Sequence, residues 1–166
     1  MALPNLTTSQ RSIRMTDAAK ERALRWVQSQ AATTHRSPSD APFKRLIDFW
    51  FAAIAWAVAH SIRPLDQCTG DKFVSIGPTP SDVRIQQWKT DMLTLLALHE
   101  YGHEDSRAQN PAEIVDLANR FAEAGAEPFL TELDRVREFA VPMLYKVTDI
   151  FVDEFANAVS GPTRTY

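Results

Sequence analysis

The sequence predicts an all-α fold: a single compact bundle of five to six helices, with a basic N-terminal helical arm and at most one short strand near 72–76. Two observations predict it. Apolar residues recur at helical spacing in several separate segments, each bounded by capping residues, glycine or proline. Only "KFVSI" reads as a strand, and Gly77, Pro78 and Pro80 end it at once.

A chain of 166 residues with 45% hydrophobic content is long enough to bury a core. Residues 1–41 read as the basic arm with one helix and a linker, and residues 42–166 as the helical core domain. Cys68 is the single cysteine, so an intrachain disulfide and a cysteine-based zinc cluster are excluded. The N-terminal residues lack the apolar core of a secretory signal, which makes a cytoplasmic location the expectation. Up to residue 45, eight Lys/Arg stand against three acids, a balance of +5; the whole chain is −3, which leaves −8 for the rest. A basic arm carrying Arg11, Arg14, Lys20, Arg22 and Arg25 could meet nucleic acid or an acidic partner, or simply be a solvated helix face.

Thr16 is placed to cap a first helix over "DAAKERALRWVQSQ", with Ala19, Ala23, Trp26 and Val27 on one side. After a polar linker, Asp40 and Pro42 are expected to open a second helix, "FKRLIDFWFAAIAWAVAHS". It is apolar all round from Phe49 to Ala59 but too short to span a bilayer. It is therefore either the centre of the bundle or a helix whose spare face, with Phe49, Trp50, Phe51 and Trp56, meets another protein chain or a second copy of this one. Ser81 or Asp82 should cap a third helix ending near Tyr101. Asn110, Pro111 and Glu113 form the start of a fourth that stops at Gly125. A fifth begins near Pro128 and runs to Ser160-Gly161-Pro162, kinked or broken at Pro142.

One stretch carries a chemical motif. His99, Glu100 and His103 spell His-Glu-x-x-His, in which two imidazoles a turn apart share a zinc ion and the glutamate takes a proton from bound water. The downstream "LANRFAEAG" is similar to the "EANRFA" element of the ImmA/IrrE-like metallopeptidases, so the resemblance covers His99 to Glu123. It implies a zinc cofactor, with His99 and His103 as ligands, Glu100 as base and an acidic third ligand. Leu117 stands where that family places the acid, and Glu113, Asp116 and Glu123 are out of its register.

The flanks suggest a different role for the motif. Gly102 sits where a capping glycine ends a helix, and a charged loop follows. A zincin sheet edge for pairing with a peptide is also missing, since one short strand makes no sheet. The expected reading is a helix end, with zinc hydrolysis as the alternative.

Other motifs are weaker. Cys68 with His60 lacks the setting of a reactive thiol, and "GDKFVSIGP" is not a phosphate loop. Asp149, Asp153 and Glu154 lack the partner histidines of a di-metal site. The function expected is a non-enzymatic protein–protein interaction module, a small accessory subunit of a larger complex. The alternatives are the zinc hydrolase and a helical nucleic-acid-binding accessory protein.

Overall fold

The computed structural model describes residue 6 and residues 11–30, 34–35, 41–77 and 87–139. In chain order these form β1 (Ile13–Thr16), α1 (Asp17–Ala23), a 3₁₀ turn (Leu24–Trp26), β2 (Ser29–Gln30), β3 (Thr34–His35), α2 (Leu46–Ala59), β4 (Phe73–Gly77), α3 (Gln87–Tyr101), a second 3₁₀ turn (Ser106–Gln109) and α4 (Pro111–Phe139). The fold is mostly helical, but the described residues hold four α-helices, not five or six. Among them, no helix is long and apolar enough to cross a membrane.

The shortfall has a physical cause. The expected fourth and fifth helices are one continuous α4, with Gly125 and Pro128 inside it. Gly125 is not a stop. A Cβ built there would lie 2.1 Å from the Ala53 carbonyl oxygen and 3.0 Å from the Ala57 Cβ. Glycine therefore lets α4 cross α2 at backbone contact. Ala118, Ala122 and Ala126 on α4, with Ala53 and Ala57 on α2, extend that close approach and are all buried. Pro128 costs a helix interior about 3 kcal/mol, and burial of its neighbours Ala126, Phe129 and Leu130 offsets this. The expected break at Pro142 lies outside the described residues.

α2 is the centre of the molecule. Ile47, Trp50, Phe51, Ile54 and Ala57 join Leu93, Leu96, Ile114, Leu117 and Phe121 in one core cluster. Phe49, Ala53 and Ala55 face a second, with Met15, Trp26, Phe43, Phe129 and Leu130. Most of α2 is buried between the two clusters, while Ala52, Trp56, Val58 and Ala59 are half-buried. α2 also starts later than expected. Phe43 uses its backbone against the turn after α1, with Gln28 N–H donating to the Phe43 carbonyl (2.8 Å) and Phe43 N–H to that of Trp26 (3.2 Å). Those bonds keep Phe43 in a bridge to Val27, and α2 begins only beyond it. The first turn is then closed by Asp48, whose Oδ2 accepts the Arg45 N–H (3.1 Å).

The expected strand is present, and it pairs with a segment read from the sequence as part of the basic N-terminal arm. β4 runs antiparallel to β1, with Arg14 opposite Ser75, Met15 opposite Val74 and Thr16 opposite Phe73. A second, two-residue pairing joins β2 and β3. In β1, Ile13 and Met15 are buried and Arg14 and Thr16 are half-buried, the alternation of a strand with one face on a core. The basic segment thus does not stand apart as an arm: Met15, Ala19, Ala23 and Trp26 share one core with α2 and α4.

Two α4 side chains hold β1 in place. Asn119 accepts the Arg14 N–H (2.8 Å) and donates to the Ser12 carbonyl (3.1 Å). The Glu123 carboxylate accepts both the Thr16 N–H (2.9 Å) and the Thr16 hydroxyl (2.7 Å). That hydroxyl also caps α1 by accepting the Ala19 N–H, at 3.3 Å. Asn119 is 2% exposed. Asn119→Ala leaves two backbone groups without their partner and should cost about 2–3 kcal/mol. Urea denaturation checks this, and a loss below about 0.5 kcal/mol contradicts the assignment.

Candidate functional site

The His-Glu-x-x-His stretch resolves into a helix end. α3 stops at Tyr101 and Gly102 takes a positive φ of 84°. Its N–H closes on the Leu98 carbonyl (3.0 Å), the αL cap that favours glycine. His103 and Glu104 lie in the turn beyond and are exposed, so His103 is not stacked one turn above His99 on a helix. The His99 side chain is 68% exposed, and its Nε2 lies 4.0 Å from Glu100 Oε1. Two of the acids near the position where that family places its third ligand are otherwise employed: Glu123 holds Thr16, and Asp116 faces Arg11 at 3.6 Å. Among the described residues, no group of three or more His, Cys, Asp or Glu side chains could hold a metal ion. The donor set does not fit zinc.

The aromatic set on α2 is core rather than surface. Phe49, Trp50 and Phe51 are buried. Phe49 stacks on Phe129 (centroids 5.7 Å) and meets Phe43 edge-on (5.6 Å). Trp56 is half-buried between Phe129 (5.3 Å) and the His60 ring (3.8 Å). Two of the basic residues pair with acids on α4 at the surface. Arg11 faces Asp116, and Arg22 pairs with Glu127 and with Asp134 (3.0 Å), both on α4. The Glu127 and Asp134 partners raise the Arg22 pKa further. Arg14 is bound through its backbone, Lys20 is half-buried, and Arg25 is exposed. Cys68 is buried, and burial pushes its thiol up to about 12, far from a reactive thiolate.

The unassigned feature lies on α3. Its inward face buries Lys89, Leu93, Thr94, Leu96 and Ala97. Its outward face carries Trp88, 47% exposed, and Leu95, 45% exposed. Seven residues apart, they stand two helical turns along one stripe, with Met92 half-buried between them and exposed His99 one turn further on. Leu65, in the loop after α2, is the other large apolar side chain exposed among the described residues.

Sequence reasoning missed this stripe. The available signal was a surplus. Trp88, Met92, Leu93, Leu95, Leu96 and Leu98 cover well over half of the helix circumference, and a helix at the edge of a bundle can bury only part of so wide a face.

The root of the stripe is charged. Lys89 Nζ donates to Asp48 Oδ1 (2.9 Å) and lies 4.8 Å from the Phe51 ring centroid and 5.4 Å from that of Trp88. Burial alone would raise the Asp48 pKa, but hydrogen bonds from Arg45 and Lys89 outweigh it and hold the carboxyl below its ordinary range. At the other end of α3, the Arg107 guanidinium lies over the Tyr101 ring at 4.4 Å, and Arg120 reaches the Tyr101 hydroxyl at 3.5 Å. Comparison with protein-family models, curated proteins and solved structures finds no match to this chain.

Proposed function

We propose that this chain is a non-enzymatic helical module that acts by binding another protein, as a small accessory subunit of a cytoplasmic complex, and that the partner docks on the outward face of α3. The observation that carries this reading is the pairing of Trp88 and Leu95 on one exposed stripe. A water-facing tryptophan two turns from a water-facing leucine is the pattern of helix-in-groove recognition, in which anchors recur at i and i+7. Tryptophan is also the residue most often dominant in binding energy. The interaction function expected from the sequence is kept, but its surface moves from α2 to α3. No comparable observation favours the other two readings. The zinc donors do not converge, and acids on α4 engage Arg11 and Arg22 of the basic segment.

The test compares three immobilised full-length proteins in extract of the source cells: wild type, Trp88→Ala/Leu95→Asp, and His99→Ala/His103→Ala. A protein retained by wild type is purified and its affinity for each variant is measured. The α3 double variant should bind about 30-fold more weakly or worse, since the loss of even one dominant anchor costs about 2 kcal/mol. The histidine variant should bind as wild type does. Equal affinity for all three proteins, or nothing retained by wild type, sinks the reading.

A further inference from the structure

We draw no further inference here: the strongest candidate, the exposed stripe of Trp88 and Leu95 on α3 with the ion pair of Lys89 and Asp48 at its root, is the docking face already proposed, and nothing in the structure shows what covers it.

Discussion

Gly125→Ala is expected to destabilise the protein by more than about 3 kcal/mol, although the substitution improves helix propensity. In an ordinary helix interior, exchanging glycine for alanine gains about 1 kcal/mol. Here the new Cβ would stand 2.1 Å from the Ala53 carbonyl oxygen and 3.1 Å from its carbon. The obstacle is backbone, which cannot rotate aside as a side chain end can. α2 and α4 must therefore separate, and both core clusters that flank α2 lose packing. Overpacking of a core by one methyl group costs about 1–3 kcal/mol even where side chains can yield. Urea denaturation of both proteins gives the sign directly. A stabilised Gly125→Ala protein would mean that the two helices do not cross at this residue.

Phe49→Ala should cost about 3–5 kcal/mol, the range for removing a fully buried aromatic ring. Phe49 lies against Phe43 and Phe129, and the loss of its ring leaves a cavity between α2, α4 and the segment before α2. For a chain of this length, that is a fall in melting temperature of about 10 °C. Trp88→Ala removes a larger ring from the surface and should cost far less. The contrast separates core from docking face: were Phe49 part of an exposed interface on α2, its truncation would spare stability and damage only binding.

The sequence carried some of this plainly and hid the rest for identifiable reasons. Caps were legible because their chemistry is local. Thr16 accepts the Ala19 N–H, Asn110 accepts that of Ala112 (3.0 Å), and Gly102 closes α3. The reading of His99 and His103 followed from the last of these, since a single glycine decides whether two imidazoles stack. Gly125 misled because the same residue serves as a helix stop and as a helix crossing; what distinguishes them is the presence of Ala53 and Ala57 opposite, more than sixty residues away. β1 was missed because its pairing with β4 and its hydrogen bonds to Asn119 and Glu123 are likewise long-range. α2 was recognised as apolar all round, but sequence alone could not say whether a second layer covered it. Leu117, Phe121, Phe129 and Leu130 of α4 supply much of that layer.

The central claim is that partners meet this protein on the outward face of α3 and not on α2 or at the histidine motif. Photo-crosslinking tests it most directly. A benzophenone side chain is placed in turn at Leu95, at His103 and at Glu132, a half-buried position on α4, and irradiated in the presence of the partner that wild type retains. A covalent adduct through position 95, with none through 103 or 132, is the result expected. Adducts through 103 or 132 with none through 95 would contradict it.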